Sequence, residues 1–231
     1  MAIRMRAAGL ATVFSAIAQT GLVPRGAFLL SESERRGELA PTRAIVLAGF
    51  TGREGWTAFA ASPEAQDGRS DPLDRWSRRV IEALARELGA WPLFPFGGPP
   101  FWPFQQWAQR AEPVHPSPIG VLIHPTYGLW HSYRGALAFR EALDIPEPAA
   151  TPSPCESCRE RWCLNTCPVG AFSNAGYDAD ACAGHLKSAE GADCMGLGCR
   201  ARRACPVGAE HVYGPEQATF TMRAFLRGQG G

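Results

Sequence analysis

Cys155-Glu156-Ser157-Cys158-Arg159-Glu160-Arg161-Trp162-Cys163-Leu164-Asn165-Thr166-Cys167-Pro168 is the stretch that decides how this chain is built. Outward from it, Cys182 stands alone, and Cys194, Cys199 and Cys205-Pro206 follow. All 8 cysteines of the 231 residues lie in this part of the chain, and none precedes Cys155. Both halves close on the same words, Cys167-Pro168-Val169-Gly170-Ala171 and Cys205-Pro206-Val207-Gly208-Ala209. That is an internal repeat. Eight thiols divide into two sets of four, and four thiolates hold one iron–sulfur cube. The proline after each closing cysteine fixes φ and removes a backbone N–H, so the chain turns away from the ligand.

The spacing also suggests how the sets divide. When two clusters share a chain, the cysteine before the proline serves the other cluster. One quartet is then Cys155, Cys158, Cys163 and Cys205, and the second is Cys182, Cys194, Cys199 and Cys167. Each set borrows its last ligand from the opposite half, so loss of one cysteine loosens the whole region, because metal binding is coupled to folding. Zinc is the first rival, but it uses well-separated pairs for each ion. A disulfide framework is the second, but it suits small secreted domains, and here a long cysteine-free stretch comes first. The usual run has two residues between its second and third cysteines; here there are four, Arg159 to Trp162. The second half repeats that gap, which leaves [4Fe–4S] against [3Fe–4S] open.

The bulk numbers exclude some classes. A net charge of +1 gives no long-range field for nucleic acid or acidic membranes. Hydrophobic content of 45% against 19% charged describes a globular chain rather than a disordered one. With 25 glycines and 20 prolines, much of it is turn and loop. No apolar stretch approaches the roughly 20 residues a membrane span needs. The N-terminus imitates a signal peptide, with Arg4 and Arg6 ahead of an apolar run. Leu10, Val13, Phe14 and Ile17 also fall at helical spacing, and the helix is the favoured reading. Unprotected clusters suit a reducing compartment, so the expected location is cytoplasmic.

Along the chain, Arg43 to Phe50 reads as a buried strand. Ser70-Asp71-Pro72 opens a helix whose apolar face is Leu73, Trp76, Val80, Ile81, Leu84 and Leu88, closed by Gly89. Trp91 to Phe96 reads as a strand, Pro103 to Ala111 as a short helix, and 120–123 and 130–139 as strand-like. Four prolines in residues 146–154 mark an extended linker. The expected division is a front domain over residues 1–150 and a two-cluster domain over 151–231. Within the latter, Asp178 can cap a helix carrying Cys182, and a C-terminal helix is expected from residue 215.

Two family resemblances extend this reading. Residues 155–206, with the run ending in Cys167-Pro168, the isolated Cys182 after Asp178-Ala179, and Cys205-Pro206, resemble the ferredoxin domain of epoxyqueuosine reductase. The stretch Gly120-Val121-Leu122-Ile123-His124-Pro125-Thr126-Tyr127-Gly128-Leu129-Trp130, continuing to Arg134-Gly135, resembles the core motif of CblC-type cobalamin-processing proteins. Asp71-Pro72-Leu73-Asp74 and Ile145-Pro146 fit the same family. Together the resemblances imply an α+β fold: a nitroreductase-like α/β sandwich followed by a small bacterial-ferredoxin-like domain. They imply two [4Fe–4S] clusters and a cobalamin.

The residues that the resemblance assigns to the corrinoid are Gly120, His124, Tyr127, Gly128, Trp130 and Arg134. Gly120 would admit the flat ring, while His124, Gly128 and Trp130 shape the pocket. Arg134 matches an arginine that helps bind a thiol co-substrate. Read without the family, glycines permit close approach and Tyr127 and Trp130 offer flat faces, but the same residues also suit a plain core, and His124 a turn cap. The expected activity is electron transfer from a low-potential donor through two clusters to a bound corrinoid, with the catalytic residues unassigned. The alternatives are a plain two-cluster ferredoxin docking a partner enzyme and a flavin reductase on the same fold. Epoxyqueuosine reductases carry a helical tail for tRNA and only a short tail follows Cys205, so nucleic acid is not an expected partner. Arg159, Arg161, Arg200, Arg202 and Arg203 flank the cysteines as docking charges or as solvated charges tuning potential.

Overall fold

A computed structural model describes residues 9–148, 150–173 and 176–229. The charged segment Met1 to Arg6 falls outside them. The elements in order are α1 (Leu10–Gln19), β1 (Val23–Leu29), β2 (Ala44–Thr51), α2 (Trp56–Ala60), α3 (Pro63–Gln66), α4 (Pro72–Leu88), β3 (Trp91–Leu93), α5 (Phe104–Ala111), β4 (His115–Pro116), β5 (Leu122–Ile123) and β6 (His131–Phe139). There follow α6 (Trp162–Asn165), β7 (Phe172–Ser173), β8 (Gly176–Tyr177), α7 (Ala179–Lys187), α8 (Ala192–Leu197), α9 (Arg200–Arg203) and α10 (Pro215–Gly228). The architecture is α+β, an α/β domain with a small cysteine-rich, ferredoxin-like region. No described helix is long and apolar enough to cross a membrane.

The chain divides into two compact units. The first runs through Phe50 and takes in Glu54–Pro113 and Ser132–Ala150. The second comprises Thr51–Arg53, Val114–His131 and everything from Thr151. Val114–His131, which sequence places in the front domain, thus groups with the cysteines.

The first unit is organised by a four-stranded sheet in the order β1-β2-β6-β3. β1 pairs antiparallel with β2, with Phe28 opposite Ile45, and β3 pairs antiparallel with β6, with Pro92 opposite Leu137. Every residue of β2 is buried, so the middle of the sheet is covered on both faces. Helices α1 and α5 pack on β1, and α4 packs on β3. The apolar stripe of α4 buries Trp76, Val80, Ile81 and Leu84, each worth about 1.5–3 kcal/mol when removed from water. Asp71 stands at the N-cap of α4. It sits in the left-handed region at φ 49 with no side-chain cap bond, and its carbonyl accepts the Arg75 N–H at 3.0 Å. Gly89 closes the helix at φ 67, as a C-terminal glycine does.

β1 is the strand that the sequence hides, because Pro24 and Arg25 look like surface residues. Arg25 is fully buried. Its Nη2 and Nε donate to Glu112 at 2.6 and 3.1 Å, and Nη1 donates to the Phe50 carbonyl at 2.9 Å. The Tyr133 hydroxyl donates to the same carboxylate. Removing one partner of such a pair strands a buried charge. Glu112→Gln is expected to cost about 3 kcal/mol, read as a lower midpoint in chemical unfolding with an unchanged slope.

At the surface of this unit, Arg79 donates to Glu64 and holds its carboxyl at about 2, down from an ordinary 4.5. A carboxyl depressed in the folded state stabilises above its unfolded value, and this contribution fades as pH falls from about 4.5 to about 2. Since Arg79 is 54% exposed, water screens the pair to about 0.5–1 kcal/mol. Glu64→Gln should lower stability by that amount at pH 7, with the two unfolding curves converging near pH 2.

Candidate metal centre

The two halves of the cysteine repeat turn alike at one matching place, where Gly170 and Gly208 both adopt left-handed φ values, 59 and 69. Short helices precede both turns and pack together, α6 carrying Cys163 and α9 having Cys199 at its N-cap. Cys155 sits in a turn closed by Glu156 N–H to the Ser153 carbonyl at 3.0 Å. Cys182 lies in the first turns of α7, whose start is capped by Asp178 accepting the Ala181 N–H at 2.9 Å. Cys194 is in α8.

All eight thiols are free, and their electrostatic neighbours fall into two sets. Burial, then Cys205 and its neighbours, pushes the Cys155 and Cys163 thiols up. Cys205 is raised by burial and by Cys158. In the other set, burial comes first again, with Cys167 and Cys194 raising Cys182, and Cys194 and Cys182 raising Cys199. The structure therefore brings together 155, 158, 163 and 205 on one side, and 167, 182, 194 and 199 on the other.

The first quartet surrounds a cavity of about 280 Å³. A water takes about 30 Å³ of liquid, so the space suits a polyatomic group rather than one ion. Among the described residues, no three Cys, His, Asp or Glu side chains converge to hold a metal ion; the four thiols stand around a space. Donors to sulfur are also in place. The Ala171 N–H reaches Cys167 Sγ at 3.4 Å. Backbone groups of Ala201 and Arg202 hydrogen-bond to Cys199, that of Val207 to Cys205, and the Ser153 hydroxyl to Cys155. Soft thiolates with such donors are the setting of iron–sulfur ligation. The residues present fit the cluster that their spacing implies.

The residues assigned by resemblance to a corrinoid have internal contacts. Gly120, at φ 80, ends a turn in which its N–H donates to the Ser117 carbonyl at 3.0 Å. His124 Nδ1 accepts the Thr126 and Tyr127 N–H groups at 3.0 and 3.2 Å. Tyr127 meets the His211 ring edge-on at 5.0 Å. Gly128 lies against the Val207 carbonyl, and Gly208 against the Tyr127–Gly128 peptide, so neither has room for a Cβ. Trp130 is buried against Tyr213, with ring centres 5.2 Å apart. Arg134 belongs to the first unit, where it donates to Asp74 and, at 3.0 Å, to Ser77 Oγ. Ile119, Ile123 and Leu129 pack with Ala201 against Cys155, Cys163, Cys167, Cys199 and Cys205.

Three buried polar atoms of Val114–His131 have no hydrogen-bond partner among the described residues: His115 Nε2, Ser117 Oγ and Trp130 Nε1. Sequence reasoning missed Arg202 as a clamp. Its guanidinium lies 4.5 Å from the Trp130 ring and 4.6 Å from Tyr213, and it donates through Nε to the Leu129 carbonyl at 2.9 Å. Arg202→Lys keeps the charge but loses the planar stack and the fork. The expected loss is about 1–2 kcal/mol, accompanied by a red shift in Trp130 fluorescence in a chain with the other tryptophans replaced by phenylalanine.

No family model matches the chain, and no curated protein matches it. Solved structures do. A selenomethionine-labelled epoxyqueuosine reductase matches with a TM-score of 0.52 at 13% identity, over 90% of this chain and 68% of that one. An epoxyqueuosine reductase with a modified tRNA stem loop matches at 0.51 and 14%, over 90% and 69%. The enzyme from Bacillus subtilis, with its catalytic loop swung out of the active site, matches at 0.50 and 15%, over 90% and 69%. At such identity the likeness is one of fold. Because one of these structures holds RNA, the fold gives no support to the expectation that nucleic acid is absent from the partners.

Proposed function

We propose that this chain is an iron–sulfur electron-transfer protein of the oxidoreductase class. It binds one [4Fe–4S] cluster on Cys155, Cys158, Cys163 and Cys205, and a second on Cys167, Cys182, Cys194 and Cys199. The observation that carries this reading is the sorting of eight free thiols into two crossed quartets, one of them around a cavity. Clusters bound there supply one-electron transfer. The chain's own part is to gather the thiolates, give their sulfurs hydrogen-bond donors and keep them half-buried. Thiols raised by burial and by each other resist ionising together, so cluster binding releases protons and draws the two halves into one fold.

The acceptor we propose is a corrinoid, reduced with electrons from a low-potential donor. The resemblance of Gly120–Gly135 to a cobalamin motif and the likeness in fold support this. The competing reading is a two-cluster ferredoxin that docks a partner enzyme. It is favoured by the internal work of His124, Gly128 and Trp130, which turn, pack and fill without any ligand.

One oxygen-free preparation tests both layers. The chain should come out brown, with about eight irons and matching sulfide. Cys205→Ser and Cys167→Ser should each lower the iron by about half or more, by the loss of different clusters. A colourless chain without sulfide would end the proposal. Added hydroxocobalamin should then shift to a base-off spectrum; an unchanged spectrum on the brown protein would leave the ferredoxin reading standing and remove the corrinoid.

A further inference from the structure

Helix geometry puts a hydroxyl beside one sulfur. Asp178 is the N-cap of α7, so Tyr177 is the residue before the cap and Cys182 is the fourth residue after it. These two positions meet across the first turn of a helix, where an apolar pair often fixes the entering chain. Here the pair is a tyrosine and a cysteine, and their side chains are hydrogen-bonded. The arrangement is held from several sides. Tyr177 pairs with Phe172 in the β7–β8 hairpin, and the two rings stack at 5.0 Å with a 16° tilt. Phe225 of α10 lies 6.2 Å from the same ring. The Asp178 N–H donates to the Ala171 carbonyl at 2.8 Å, fixing the hairpin to the helix start.

We infer that the Tyr177 hydroxyl is a potential-setting donor to Cys182 Sγ, acting on the second cluster and not on the first. The inference rests on the two-cluster reading. A hydrogen bond to a ligand sulfur draws electron density from it and favours the reduced, more negative cluster, which raises the reduction potential. The other donors to this quartet that the structure identifies, at Ala171, Ala201 and Arg202, are backbone groups. The hydroxyl is the donor that a substitution can take away while leaving the ring in its stack. Tyr177 is thus a positioning and tuning residue, and it contacts a ligand rather than a substrate. A tyrosine present only to pack makes the opposite forecast, because phenylalanine would replace it without electrical effect.

The experiment is a potentiometric titration of the anaerobic holoprotein followed by electron paramagnetic resonance, comparing the parent chain with Tyr177→Phe. Two reduction steps are expected in the parent. In Tyr177→Phe one step moves to lower potential and the other stays, with iron and sulfide contents unchanged. Ser153→Ala removes the hydroxyl donor to Cys155 and should move the step that Tyr177→Phe leaves in place. Full iron with neither step moved in Tyr177→Phe, or both moved equally, overturns the inference. Loss of iron in that variant overturns it too, by making the hydroxyl a structural requirement. A parent chain with no iron or sulfide instead defeats the two-cluster reading itself.

Discussion

Thiolates repel one another, and half-buried thiolates do so in a medium that screens them poorly. In the second unit burial acts first and that repulsion adds to it. Five of its cysteines are pushed toward the neutral thiol by burial, with neighbouring cysteines adding to the push. A chain that gathers eight thiols between Cys155 and Cys205 has built something costly to ionise without cationic partners. The crossed arrangement shares the cost between halves: Cys205 joins the first set and Cys167 the second. The α6–α9 contact, the matched turns and the buried residues Ile119, Ile123, Leu129 and Ala201 hold the backbone in the shape that the sulfurs require.

The segment Val114–His131 changes meaning in this light. By residue type it resembles a ligand-binding motif. By contact it supports the cysteine module: Ile123 and Pro118 line the thiol cavity, Gly128 packs on Val207, and Arg202 reaches back to the Leu129 carbonyl. The two roles are compatible, since a strip of chain can brace sulfur ligands with one set of atoms and present others. Trp130 Nε1, His115 Nε2 and Ser117 Oγ are buried there without a hydrogen-bond partner among the described residues.

What sequence made legible was local. Ligand spacing and the closing proline suggested how the cysteines divide, because such spacing is read over a few residues at a time. The stripe of α4 and the Asp178 cap were legible because helix periodicity and capping act within one or two turns. The rest depends on distant partners. Arg25 looks like a surface residue until Glu112, 87 residues away, neutralises it, and so β1 passed unread. The need for glycine at 128 is set by Val207, and the clamp role of Arg202 by Trp130 and Tyr213. No local pattern carries those demands. Tyr177 lies between these cases: its place before the Asp178 cap puts it within one turn of Cys182, a local relation.

The doubled Val-Gly-Ala turn has its own consequence. A duplicated unit begins with interchangeable ends, yet here a Cβ on Gly170 would meet nothing within 4 Å among the described residues, while one on Gly208 would press on the Tyr127–Gly128 peptide. Mutational drift can reach the first turn through backbone preference alone, whereas the second is held by backbone preference and crowding together. The repeat has thereby acquired a handedness of constraint: one end free to be remodelled for new neighbours, the other mortgaged to the scaffold.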